Sequence, residues 1–189
     1  SALTSELIWR EIEITKKVKP VVVSMGNYAA SGGYYIAANA DRIFAEPNTI
    51  TGSIGVFGML PNMNQLGKNI GINAEQVKTH ENASGYSVFE PIDENFKGFV
   101  LESIEKTYAT FLKRVADGRK MTTAQVDTIA QGRVWTGVDA HKLGLVDEIG
   151  GLDAAIKYAA KLGKTSSYRT ENYPEYEKNF EDLLANFTG

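Results

Sequence analysis

The chain has 189 residues, 43% of them hydrophobic and 23% charged, with a net charge of −3 and no cysteine. Those figures suit one globular domain with its own core. They exclude a basic nucleic-acid footprint, and they exclude disulfides, thiolate catalysis and cysteine-ligated zinc together. No apolar run reaches the ~20 residues that a membrane-spanning helix needs.

In chain order, residues 1–18 predict a helix, because Leu3, Leu7, Ile8 and Ile12 recur at helical spacing with charges between them. The chain opens without Met and directly in that helical pattern, which reads as a piece of a longer protein. Pro20-Val21-Val22-Val23-Ser24 reads as a strand buried on both faces. It leads through Gly26 to Ala29-Ala30-Ser31-Gly32-Gly33 and then to an Ala-rich helix from Tyr35 to Ala40. Ser31 therefore stands where a strand gives way to a helix, among residues small enough to let backbone and substrate come close. A helix N-cap is the ordinary role of such a serine.

A second strand follows at residues 41–45 and a turn at 46–49. Then comes Ile50-Thr51-Gly52-Ser53-Ile54-Gly55-Val56-Phe57-Gly58, where glycines alternate with β-branched residues. Glycine inside a strand marks either a bulge or close approach by another backbone or a ligand. Residues 62–69 predict a short helix and 75–79 a short strand, and 80–92 lack any period and read as a long loop. Residues 93–118 predict the longest helix, with Phe96, Val100, Ile104, Tyr108, Phe111 and Val115 in one core-facing stripe. Thr122 and Gln125 form a capping box for the next helix. The pattern closes with a strand at 133–135, a helix at 137–143, a strand at 145–149, a helix at 152–162 and a polar tail. Strands alternating with helices predict a layered α/β domain.

Few chemistries are open to this chain. A Ser-His-Asp triad needs a placed histidine, and the two present, His80 and His141, carry no supporting motif. No residue set has metal-ligand spacing, so neither metal nor cofactor is expected. Asp147 and Glu148 are adjacent on a strand and point apart, which removes a paired-carboxylate mechanism. A serine nucleophile with a lysine base remains, since burial can free a neutral amine to take the hydroxyl proton. The N–H of Gly32 is placed by sequence to serve an oxyanion hole.

Residues 25–36, followed by 48–56 and by Gln131-Gly132-Arg133-Val134-Trp135-Thr136-Gly137, Ala140 and Gly144-Leu145-Val146-Asp147, resemble the signal peptide peptidase A (protease IV) family. The resemblance covers about residues 1–165 and is strongest to the C-terminal half of the long, two-repeat form. It implies a Clp-protease/crotonase-like α/β fold of repeated β-β-α units, here truncated at the N-terminus, in one domain over 1–189 with a tail at 166–189. It implies a Ser/Lys endopeptidase with Ser31 as nucleophile, Gly32 as oxyanion donor and Ser53 orienting the lysine. Gly52, Ile54, Gly55 and Val56 would pair with an extended substrate such as a signal peptide. Where the short family form has its lysine, this chain has Ala83, with Lys78 nearby. The lysine would then come from an N-terminal half of the same parent protein, and the isolated chain would be inactive. The resemblance also implies a homo-oligomer, no nucleic-acid partner, and a parent bound to the bacterial inner membrane with its catalytic part in the periplasm. Two other readings stand beside it: a non-catalytic assembly module with Ser31 as N-cap, and a crotonase-like acyl-CoA enzyme.

Overall fold

The computed structural model describes residues 1–80, 83 and 85–174. Seven helices and six strands are described, in the order α1 (Ala2–Lys16), β1 (Val22–Met25), β2 (Tyr28–Ala30), α2 (Gly32–Ala37), β3 (Arg42–Ala45), β4 (Ile50–Gly52), α3 (Asn64–Asn69), α4 (Glu94–Arg119), α5 (Thr123–Ile129), β5 (Val134–Thr136), α6 (Gly137–Lys142), β6 (Glu148–Ile149) and α7 (Leu152–Leu162). The strands form two three-stranded sheets. One, ordered β1-β3-β6, is wholly parallel. In the other, β2 pairs parallel to β4, and β4 pairs antiparallel to β5.

The first four strands alternate between the sheets. After β1 the chain turns at Gly26-Asn27 and enters the second sheet as β2, then forms α2; β3 and β4 repeat the crossing. The crossings are held by side chains as well as backbone. Thr49 Oγ1 donates to Gly26 O at 2.8 Å, and Ile50 N–H donates to Asn27 O at 2.8 Å. This is the predicted layered α/β design of β-β-α units.

The core between the layers is built on fully buried Tyr34, Ile43, Ile54, Leu145, Val115 and Val126. Tyr34 buries its hydroxyl too, and satisfies it by donating to Leu145 O at 2.9 Å, as a buried phenol must. Beneath this core Arg119 closes a nearly buried ion pair with Asp147, Nη2 to Oδ1 2.6 Å and Nη1 to Oδ2 3.0 Å. Asp147 Oδ2 also accepts the Ile43 N–H at 2.8 Å. Burial alone would raise the Asp147 carboxyl, but the Arg119 hydrogen bonds and charge and the Ile43 N–H outweigh it and hold the group below its ordinary value. Glu148 takes a different partner, Arg42, at 2.5 Å, so the two acidic neighbours do point apart.

Three predicted elements differ. The Ser31 turn is preceded by a separate strand, β2, and α2 starts at Gly32 rather than Tyr35. The predicted strand at 75–79 does not form. Val77 is fully exposed at 102%, and residues 73–78 have no backbone hydrogen bond among the described residues, so that segment lacks the neighbour a strand requires. The stripe of α4 is core only in its C-terminal half. Phe111 and Val115 are buried, whereas Phe96, Val100, Ile104 and Tyr108 are half-buried. The predicted loop at 80–92 lies partly outside the described residues, and its described part is irregular. The capping box forms as the sequence pattern predicts, Gln125 N–H donating to Thr122 Oγ1 at 3.1 Å and Thr122 N–H to Gln125 Oε1 at 2.8 Å.

Candidate active site

Ser31 follows β2 and precedes α2, and its backbone is unusual. Its φ is 52° and ψ −118°, a region in which a side chain crowds its own backbone and which glycine normally occupies. Such a residue costs of order 1–3 kcal/mol and persists only when its surroundings fix it. Two hydrogen bonds fix this one: Ser31 N–H donates to Gly52 O, and Ser31 O accepts from Tyr35 N–H, both at 2.9 Å. Although Ser31 occupies the N-cap position, its hydroxyl makes no cap hydrogen bond. A sharp, strained strand-to-helix turn of this kind presents an uncommitted hydroxyl to the surface, and Ser31 is exposed.

The register of the second sheet brings Ser53 alongside. Ala30 pairs with Gly52 in parallel strands, so Ser31 and Ser53 are the next residues in step. Ser53 is also in the left-handed region, at φ 49°. Its N–H donates to Arg133 O at 2.7 Å, and the following carbonyl, Ile54 O, accepts from Gly132 N–H at 2.9 Å. Two cavities open from this point. One of about 460 Å³ is lined by Ser31, Ser53, Val56, Phe57, Tyr108 and Glu105 among others. The second, about 240 Å³, runs from Ser31 and Gly32 to the first turn of α1 at Ser1, Ala2 and Ser5.

The other predicted residues fall into two groups. Gly32 opens α2, where its N–H has no intrahelical acceptor. It has no room for a side chain, since a Cβ would stand 2.7 Å from the buried Ser5 Oγ. Gly55 and Val56 line both cavities. Gly52 and Ile54 are buried instead. Gly52 has φ 77°, and a Cβ there would meet Trp135 at 2.8 Å. Ile54 is a core side chain at 0% exposure whose carbonyl is taken by Gly132. Their glycine and β-branched pattern serves internal packing of the kind that the bulged-strand alternative describes.

No lysine or histidine lines either cavity among the described residues. Lys78 lines a different cavity, beside Tyr86 and Phe96, and Ala83 is exposed. His80 contacts its neighbour Thr79, and the His141 ring lies 3.2 Å from Val146 O.

Two clusters around the serine were not read from the sequence. On α1, Glu6 accepts from Arg114 and from the Tyr35 hydroxyl, and the Arg114 guanidinium lies 3.9 Å over the Trp9 ring. Burial and the Glu6 hydrogen bond push the Tyr35 phenol up to about 12. This cluster docks α1 against α2 and α4 beside Ser31. On the other side, Tyr108 and Asp127 contact the 130–133 loop. The Glu6–Arg114 contact spans 108 residues, and no local pattern announces it.

The fold has solved counterparts. ClpP1 from Listeria monocytogenes matches with a TM-score of 0.51 at 16% identity, over 82% of this chain and 70% of that one. A membrane-bound stomatin-specific protease also matches at 0.51, with 17% identity, over 83% of this chain and 62% of that one. These likenesses, with the two crossing sheets, define a domain of Clp-protease-like α/β fold that carries a strained serine at a strand-to-helix turn. At the level of sequence, the pattern of peptidase family S49 matches residues 13–166. Protease 4 of Haemophilus influenzae is 47% identical over 163 residues, 86% of this chain. Protease 4 of Salmonella typhi is 40% identical across 100% of the chain, and the chloroplastic serine protease SPPA of Arabidopsis thaliana is 42% identical over 84%. The chain belongs to peptidase family S49, as its resemblance to the signal peptide peptidase A family implies. It spans 26%, 31% and 24% of the length of those three relatives.

Proposed function

We propose that this chain supplies the nucleophile of a Ser/Lys serine endopeptidase. The observation that carries the reading is Ser31: a strained residue whose hydroxyl serves no cap, at the meeting of two cavities, with Ser53 in register beside it. In this reading Ser31 Oγ attacks the scissile carbonyl carbon and its proton passes to a neutral lysine amine. Gly32 N–H donates to the oxyanion. Collapse expels the peptide amine, which takes the proton from the lysine, and water then hydrolyses the acyl-enzyme.

A free serine hydroxyl is a weak nucleophile without such a base. The lysine would come from an N-terminal half of the parent protein, oriented by the Ser53 hydroxyl. Burial in the assembled site would lower its pKa and keep it neutral. The substrate would lie extended along Gly55 and Val56, and the apolar cavity walls suit unfolded apolar peptides, signal peptides among them. Assembly as a homo-oligomer on the periplasmic side of a bacterial inner membrane belongs to the same proposal.

The test is reconstitution. The chain alone should label slowly with a serine-reactive fluorophosphonate. Adding the lysine-bearing half in trans should give peptide cleavage that Ser31→Ala abolishes. Rapid labelling of the isolated chain would place the base within it. Cleavage that survives Ser31→Ala would remove Ser31 from the chemistry.

A further inference from the structure

We propose that Tyr108, seated on Asp127, is a positioning residue that holds Ser53 in place through the 130–133 loop. The inference rests on the Ser31/Ser53 reading above and adds two residues to it.

The connection is a chain of short contacts. Tyr108 Oη donates to Asp127 Oδ1 at 2.6 Å and accepts the Gln131 N–H at 3.1 Å. Gln131 and Gly132 are consecutive left-handed residues, at φ 58° and 76°. Glycine takes that conformation freely, whereas glutamine has to be held in it. The Tyr108 hydroxyl holds it: with its own proton committed to Asp127, the oxygen's lone pair faces the Gln131 N–H. Burial and the Asp127 carboxylate push the Tyr108 phenol up, so the hydroxyl stays protonated.

The loop so fixed touches Ser53 on both sides. Arg133 O accepts the Ser53 N–H at 2.7 Å, and Gly132 N–H donates to Ile54 O at 2.9 Å. The approach is close enough that a Cβ on Gly55 would lie 2.8 Å from both Gly132 Cα and Gly132 N. Ser53 is strained as well, and these two bonds hold the backbone on either side of it. Losing the Tyr108 hydroxyl releases Gln131 and leaves Ser53 free to relax from φ 49°. The Ser53 hydroxyl would then no longer be aimed at the base. Tyr108 also lines the cavity shared by Ser31 and Ser53, although its hydroxyl acts on the loop.

A simple tie between α4 and α5 would affect stability alone, whereas a positioning role affects turnover. The experiment uses the full-length parent protein and a fluorogenic apolar peptide, with thermal unfolding followed in parallel. Tyr108→Phe should lower kcat about tenfold, the scale of one lost hydrogen bond to a charged partner, and leave KM within about twofold. Asp127→Asn keeps an acceptor at Oδ1 and should retain most of kcat. Gln131→Gly, placed in the Tyr108→Phe background, should restore part of kcat, because glycine takes φ 58° without an anchor. If Tyr108→Phe does not fold, Asp127→Ala keeps the phenol and tests the same chain, and its kcat should fall in the same direction. An unchanged kcat in Tyr108→Phe, or a fall that Gln131→Gly does not relieve, overturns the inference while leaving Ser31 as nucleophile. Wild-type turnover in Ser31→Ala overturns both.

Discussion

Residues 28–54 and residues 57–101 adjoin in the chain and are held in opposite ways. In the first region the serine backbone is pinned from several sides: Ser31 to Gly52, Ser53 to Arg133, Ile54 to Gly132, and Thr51 Oγ1 to Ala29 O at 2.7 Å. A Cβ on Gly32 would meet Ser5 Oγ at 2.7 Å, and one on Gly52 would meet Trp135 at 2.8 Å. In the second region the turn before α3 is suspended from the 88–90 backbone by Met63 N–H to Val88 O at 2.6 Å and by the Asn62 and Asn64 amides, each at 2.7 Å. Its glycines at 71, 85 and 98 have nothing within 4 Å of a notional Cβ, and Met59, Ile70 and Val77 lie open to solvent. Strained backbone survives only where neighbours over-determine it. The second region stores little strain and requires no such support. α4 joins the two, with its C-terminal half in the core and its N-terminal half in the outlying region.

The largest expected effect lies under the pinned region. Asp147→Ala leaves Arg119 charged and nearly buried, with side-chain exposure of 8%, and should cost about 3–5 kcal/mol in chemical unfolding. The wild-type pair predicts the pH dependence. The folded Asp147 carboxyl titrates below its unfolded value. Its contribution is therefore complete above about pH 4 and is lost as the pH falls through the lower folded value. Asp147→Asn should flatten that acid limb, and an unchanged limb would remove Asp147 as its source. Next in size, Gly55→Ala drives a Cβ into the Gly132 backbone and should cost about 1–3 kcal/mol, together with the cleavage proposed for the reconstituted enzyme. A neutral Gly55→Ala would mean that the two loops are not locked together.

The sequence showed the elements and the serine better than it showed what holds the serine. Helical periods and the Thr122 capping box are local signals, and α1, α4, α5 and α7 appear where those signals place them. Ser31 was legible because its small neighbours are contiguous with it. β2 was not, because its three residues have no period to read and exist only through pairing with β4. Val77 carried a strand pattern that tertiary structure did not use. The resemblance implied substrate pairing at Gly52 and Ile54, and glycine marks close approach without saying what approaches. Here it is Trp135 and the 130–133 loop. Tyr108 was legible as an apolar stripe residue, but its hydroxyl partners depend on where α5 and the loop come to rest. The C-terminal half of the α4 stripe matched core packing, whereas the outlying half has too little protein around it to be buried.

Relief of strain gives a smaller effect with an opposite sign. Ser31→Gly removes a side chain from φ 52°, and the gain should exceed the extra backbone entropy that glycine carries when unfolded. The protein should gain up to about 1 kcal/mol, while the reconstituted enzyme of the proposed function should lose all cleavage. Ser31→Ala loses cleavage without that gain, because alanine meets the same backbone crowding. Equal stabilities for the two variants would show that Ser31 is not strained, and Ser53 would be left as the strained residue of the pinned region.

The smallest effect tests where the boundary between the regions falls. Gly98 lies inside the outlying half of α4 with open space around it, so alanine should favour helix there by about 0.5–1 kcal/mol. Where that energy is observed depends on cooperativity. If residues 94–104 open without the core, Gly98→Ala stabilises only the closed form of that segment. Amide exchange across it should slow by about twofold to fivefold while the global unfolding midpoint stays in place. The segment's few buried contacts favour this outcome, as does the absence of backbone partners for residues 73–78 among the described residues. A full gain at the global midpoint would instead make the outlying half of α4 part of the same cooperative unit as the serine turn. The support of Ser31 and Ser53 would then extend along the whole helix.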